Sequence, residues 1–198
     1  MKRAVPIVLG AFLLTGCGAH SLSELQGGGQ LSTGAASGAA SPVAAGQNFN
    51  PADVMFLQMM VTHNAQGARL ARLAQDRQVS QDVKILAAAI ATTQDAEAST
   101  MATWLKSWNK PATAPASAHA GHGGHGLTEL QFKLLAKAPA DGFEKRFLNT
   151  LIAQQDDAIQ MAKVETMAGE NAEAKALAGR IDASRSAQIK QMVALVGQ

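Results

Sequence analysis

The sequence predicts an all-α protein, a four-helix bundle made of two repeated helical hairpins joined by a long crossover connector. Three observations lead there. Apolar residues recur at steps of three and four through four long segments, the spacing that gives a helix one buried stripe. No segment alternates apolar and polar residues with period two, as a half-buried strand does. Breakers and capping residues separate the segments where two antiparallel hairpins need their turns.

The chain opens with an export pattern. Lys2 and Arg3 precede an apolar run from Ala4 to Leu14. That run has the length of a signal-peptide core and falls short of the roughly 20 residues that span a bilayer. It closes on Leu14-Thr15-Gly16-Cys17, which resembles the lipobox of bacterial lipoproteins. The resemblance implies cleavage after Gly16, lipidation of Cys17, and a membrane partner reached through an N-terminal lipid anchor. The location it implies is the outer face of a bacterial membrane, in the periplasm or cell envelope. Several acyl chains on one residue make a stable anchor.

Residues 1–16 are thus the signal, 17–48 a tether and 49–198 the bundle. Gly18 to Gln47 is rich in Gly, Ala and Ser and almost uncharged, a composition that cannot bury enough surface to fold. The first hairpin spans 50–109, the connector 110–140 and the second hairpin 141–197. Asn50-Pro51-Ala52-Asp53 supplies an N-cap, a proline for the first helical position and an acid for the positive helix end. Helix one is expected to run to about Gln78. Ser80 is expected to cap the second, which stops before Pro111. In the connector, Leu127 to Ala138 reads as a short helix. Asp141 and Glu144 read as a capping box for the third long helix. Gly169 ends it, and Asn171 caps the fourth.

The two hairpins align without gaps at a shift of 91 residues. Phe56-Leu57 falls on Phe147-Leu148, Ala71 on Ala162, and Lys84, Leu86, Ala87 and Ile90 on Lys175, Leu177, Ala178 and Ile181. Ala96 falls on Ala187 and Met101 on Met192. This reads as a duplicated hairpin with a pseudo-twofold axis.

Charge and cysteine content exclude several functions. The chain has 17 Lys and Arg against 15 Asp and Glu. Loss of residues 1–16 removes Lys2 and Arg3 and leaves the mature chain neutral. No basic cluster stands out and tyrosine is absent, so there is no nucleic-acid partner. Cys17 is the single cysteine. The exported domain therefore has no disulfide, no thiolate nucleophile and no cysteine-based zinc site.

The inward stripes are Phe56, Met59 with Met60, His63, Gly67, Leu70 and Ala74; Val83, Leu86, Ile90, Gln94, Glu97, Met101, Leu105 and Trp108; Phe143, Phe147, Leu151, Gln154, Ala158, Met161 and Glu165; and Ala174, Leu177, Ile181, Arg185, Gln188, Met192 and Leu195. Polar residues interrupt all four near the middle: His63, Gln94 with Glu97, Gln154, and Arg185 with Gln188. Burying such groups unpaired costs several kcal/mol each, on the order of magnitude. Two arrangements satisfy them. One is a metal held by His63, Glu97 and Gln94, with Met59 and Met101 one turn away; imidazole with thioether sulfur suits copper, Cu(I) above all. The other is a metal-free polar layer in which Glu97 pairs with Arg185 and the glutamines bridge.

The same residues carry a family resemblance. The stretch from Asp53 through Phe56, Met59 and Met60 to His63-Asn64 resembles the opening motif of the domain-of-unknown-function 305 family. So does Gln94-x-x-Glu97-x-x-x-Met101-x-x-Trp104-Leu105. The resemblance covers about residues 50–198. It implies a ferritin-like four-helix bundle in a secreted or lipid-anchored bacterial protein, and some members are linked to copper binding and metal tolerance. This sequence departs from the family pattern. The usual His-His pair of the first helix is His63-Asn64, its counterpart in the third is Gln154-Gln155, and the Gln/Glu pair returns as Arg185 and Gln188.

The connector offers a separate ligand set. His119, His122 and His125 recur every three residues among glycines, a tract able to bind copper, zinc or nickel without a preformed cage. An enzyme is not expected. There is no Glu-x-x-His motif for a di-iron centre, no nucleophile-base set and no phosphate-cradling glycine loop. The readings left are a cell-envelope lipoprotein binding copper or another transition metal, and a metal-free helical scaffold or interaction module. Homo-oligomerisation is left open.

Overall fold

The computed structural model describes residues 44–114 and 127–197. Cys17 and the histidines at 119, 122 and 125 lie outside the described residues. The elements are α1 (Pro51–Arg72), α2 (Gln81–Ser107), α3 (Glu129–Ala136), α4 (Phe143–Ala168) and α5 (Ala172–Val196). Among the described residues there is no strand. The protein is an all-α bundle. α1 pairs with α2 and α4 with α5, and the two hairpins meet chiefly along α1 and α4.

The start of α1 follows its sequence. The Asn50 side chain accepts from the amides of Ala52 and Asp53, at 2.8 and 3.1 Å, and Asp53 accepts from the Asn50 amide at 2.6 Å. This reciprocal capping box satisfies donors that a helix start leaves open. Asn171 caps α5 likewise, accepting from the Ala174 amide at 2.9 Å. The short connector helix α3 is present, with a Thr128–Gln131 capping box. Arg69 of α1 holds it through a paired contact to Glu129, at 2.7 and 3.2 Å, and by stacking 3.6 Å above the Phe132 ring.

Three local expectations are corrected. α1 stops at Arg72, not near Gln78, and residues 73–77 tighten into turns with bonds such as Ala74 N to Ala71 O. The cause is tertiary. Arg77 donates to the carbonyls of Ala136 and Ala138 and lies 4.0 Å above the Phe143 ring, which draws the chain off the helix axis. Asp141 and Glu144 form no capping box. The residue preceding α4 is Gly142, at φ +65°, a left-handed conformation natural to glycine. Ser80 precedes α2 without a side-chain cap, because its amide and hydroxyl both donate to Glu144, at 2.6 and 3.1 Å.

Order also begins before residue 49. Ala45 is buried against the bundle. The Gly46 carbonyl accepts from Trp108 Nε1 at 2.9 Å, and Asn171 donates to Asn48 O at 2.9 Å. Phe49 stacks on Trp108 with centroids 4.3 Å apart.

The core has two apolar halves. One gathers Phe56, Leu57, Met60, Met101, Trp104, Leu105, Leu177 and Ile181. The other gathers Leu70, Val83, Ile90, Phe143, Phe147, Leu148, Leu151 and Met192. Between them along every long helix lies a polar layer. No helix among the described residues is long and apolar enough to cross a membrane.

Candidate functional site

All four long helices contribute to the layer, because each stripe carries its polar residue at mid-length. His63, Asn64, Gln94, Gln154, Gln155 and Arg185 are buried. Gln154 Nε2 stands 3.1 Å from His63 Nδ1 and donates to the His63 carbonyl at 3.2 Å. An amide nitrogen only donates, so Nδ1 is the acceptor and the ring proton sits on Nε2. In that tautomer the ring's one lone pair is already engaged by Gln154. Gln94 Nε2 donates to Gln155 Oε1 at 2.9 Å and to Gln154 Oε1 at 3.3 Å. Gln155 in turn donates to Gln188.

Glu97 is the layer's anion. Its Oε2 accepts from Asn64 Nδ2 at 2.9 Å and from Arg185 Nη2. Arg185 has no exposed surface, and the Glu97 side chain is 14% exposed. Burial pushes the guanidinium pKa down and the Glu97 charge pushes it back up, with a net lowering. It remains a cation at any working pH. A fixed positive charge there opposes a metal ion. Gly67 gives the amides room. A Cβ on it would stand 2.1 Å from Gln154 Nε2 and 2.2 Å from Gln94 Oε1.

The residues singled out from sequence are therefore only partly brought together. His63 and Gln94 meet through Gln154, while Glu97 meets Arg185. Met101 lies within the apolar core. Met59 lines an open cleft between α1 and α4 with Met55, Phe56, Met161 and Glu165. Among the described residues no three His, Cys, Asp or Glu side chains gather as a metal-holding group. Sequence reading missed Asn64 and Gln155 as bridging residues. The signal was there, since each stands next to a stripe residue, Asn64 beside His63 and Gln155 beside Gln154. Asn64 bonds to Glu97 and Gln155 to Gln188, with the same spacing inside each hairpin.

A second polar cluster closes the end of the bundle. Asp53 Oδ1 accepts from the amides of Glu170 and Asn171, at 3.1 and 2.9 Å. Burial raises the Asp53 pKa, but hydrogen bonds from Asn50, Glu165, Asn171 and Glu170 outweigh it and hold the carboxyl below its ordinary value. Glu165 beside it behaves oppositely. Burial first, then its hydrogen bond to Asp53 and the charge of Asp53, push it up to about 8, against a smaller pull from Lys175. Of the two carboxyls, Glu165 is the one that keeps its proton near neutrality.

The profile of the family described as Domain of unknown function (DUF305) matches residues 53–196. The chain belongs to the DUF305 family. Its bundle resembles a DUF305 fragment from Deinococcus radiodurans, at 25% identity and TM-score 0.67, over 75% of this chain and 97% of that one. It also resembles CopM in a Cu(I)-bound form, at 28% identity and TM-score 0.61, over 72% and 94% of the two chains. To CopM in a Cu(II)-bound form the identity is 30% and the TM-score 0.62, over 73% and 95%. No protein of curated function matches the chain.

The layer combines a permanent cation with the amides of Asn64, Gln94, Gln154 and Gln155. An amide nitrogen has no lone pair to give a metal, and its oxygen is a poor partner for a soft one. What the layer does chemically is pair donors with acceptors across four helices.

Proposed function

We propose that this DUF305 protein is a cell-envelope lipoprotein that handles copper, with its inner layer serving as a structural clasp and copper held outside that layer. The likeness to CopM in its Cu(I)- and Cu(II)-bound forms, over more than nine-tenths of that chain, carries the copper reading. The export pattern ending at Cys17 supports the lipid anchor. The histidines at 119, 122 and 125 recur every three residues and offer imidazoles as a separate ligand set. The proposal assigns no catalytic activity to the chain.

A second reading has its own observation. The buried Arg185–Glu97 pair favours a metal-free scaffold or interaction module, because a permanent cation already neutralises the layer's anion.

One titration separates them. Ligand that binds only the folded state stabilises it by RT ln(1 + [L]/Kd), about 2.7 kcal/mol at a hundredfold excess over Kd. Cu(I), Cu(II) and Zn(II) are added to the purified protein and the melting temperature is followed. The copper reading expects a saturable rise with copper. Deleting residues 119–125 then reports how much of it belongs to the histidine tract. If no metal at micromolar concentration moves the melting temperature, the copper reading is lost and the scaffold stands.

A further inference from the structure

The chain has eight methionines, and those among the described residues fall into different environments. Met60, Met101 and Met192 are fully buried and fill the core, the usual role of a flexible thioether. Met161 also belongs to the core, at 8% exposure, but it reaches a surface opening that Met55 and Met59 share. The three line one open cleft of about 300 Å³ between α1 and α4, and Met55 and Met59 are only half-buried. Met55 and Met59 are one turn apart on α1. Met161 and Glu165 are one turn apart on α4. Residues four apart share a helix face, and α1 packs directly on α4. Two turn-spaced pairs therefore border the same opening.

We infer that this cleft binds a soft monovalent cation, Cu(I) or its analogue Ag(I), through the thioether sulfurs of Met55, Met59 and Met161. The inference rests on the copper reading only for the metal's biological identity; the donor set is this chain's own. Thioethers are soft, neutral ligands that favour Cu(I) over harder divalent ions. They carry no proton in the working pH range, so acid does not switch the site off as it would a histidine site. A neutral sulfur set leaves the ion's charge uncompensated. The carboxyl of Glu165 borders the same opening, beside the sulfur set. Only one carboxyl lines the opening, too few oxygens for calcium or magnesium. Arg185, the cation that opposes a metal in the polar layer, does not line the cleft.

The test adds Ag(I) or Cu(I) alone to the full chain carrying 13C-methyl methionine. The methyl resonances of Met55, Met59 and Met161 are expected to shift together and saturate at one equivalent, while those of Met60, Met101 and Met192 stay in place. The variant M55L/M59L/M161L conserves side-chain volume, a change cores tolerate well. It is expected to bind Ag(I) at least about a hundredfold more weakly, a loss of roughly 2.8 kcal/mol in binding. Deleting residues 119–125 is expected to leave this affinity unchanged. Should the triple variant fold poorly, M55L alone, at a half-exposed position, is expected to lower affinity about tenfold. Shifts confined to the exposed Met167 or to histidines overturn the inference. So does wild-type affinity in the leucine variants, which would leave the copper reading intact with its metal elsewhere. Absence of any Ag(I) or Cu(I) binding by the wild-type chain overturns both.

Discussion

At the scale of single residues, the most consequential group is a carboxyl that keeps its proton near neutrality. Glu165 sits in α4 one turn before Gly169, where a Cβ would fall 2.4 Å from its Oε1 and 2.7 Å from Asp53 Oδ1. Asp53, anionic, ties the start of α1 to the amides of Glu170 and Asn171. The sign of the pH effect follows. Glu165 has a folded-state pKa of about 8 against an ordinary 4.5. The folded chain therefore holds a proton that the unfolded chain has released over that range. Stability from this group is complete below about pH 4.5 and is lost as pH rises through about 8. Asp53 runs the other way: its stabilisation is present above its ordinary pKa of 3.8 and is lost as acid protonates it. Glu165→Gln keeps a donor for Asp53 and cannot ionise. We expect its melting temperature to stay level between pH 5 and 9 where the wild type's falls, and parallel curves for the two would refute the raised Glu165 pKa. Asp53 is legible in the sequence as a capping acid. Its pairing with Glu165 is not, because one stripe residue among many shows no sign of which distant side chain it meets.

At the scale of elements, α1 is a helix whose close packing is set by one missing side chain. Gly67 costs the helix about 1 kcal/mol of propensity relative to alanine. Yet the amides of Gln94 and Gln154 occupy the space its Cβ would take, at 2.2 and 2.1 Å. Neither amide can retreat without breaking a bond of the layer. Gly67→Ala is therefore expected to destabilise by about 1–3 kcal/mol net, against the propensity gain. Urea denaturation measures it, and a more stable variant would mean that the layer yields. The four long helices were readable because their stripes have helical period and end near caps such as Asn50 and Asn171. Their other ends were less so. Arg77, Glu144 and Ser80 carry side chains that local pattern assigns to their own helices, but the fold spends them between elements: Arg77 on the connector, Ser80 on Glu144. A cap made across the fold leaves no local trace.

At the scale of the molecule, the polar layer is what makes two hairpins one structure. Sequence alone placed its members at the same height but left open whether metal or hydrogen bonds joined them. The choice lies in side-chain geometry: the tautomer of His63, and the contact that sets Arg185 on Glu97. Each hairpin taken alone has a buried polar group without its partner. His63, Gln94 and Glu97 bond to Gln154, Gln155 and Arg185 of the other hairpin. Removing one side of such a network costs more than the bonds are worth intact, because the groups left behind are still desolvated. The apolar faces of α1 and α4 would also meet water, since these two helices make most of the contact between hairpins. A peptide of residues 44–110 is therefore expected to lack a cooperative thermal transition by circular dichroism. Mixed with a peptide of residues 127–197, it is expected to regain helix and a transition that depends on concentration, as association-coupled folding requires. A cooperative, concentration-independent melt of residues 44–110 alone would show that the hairpin is self-sufficient and that the layer does not bind the halves together.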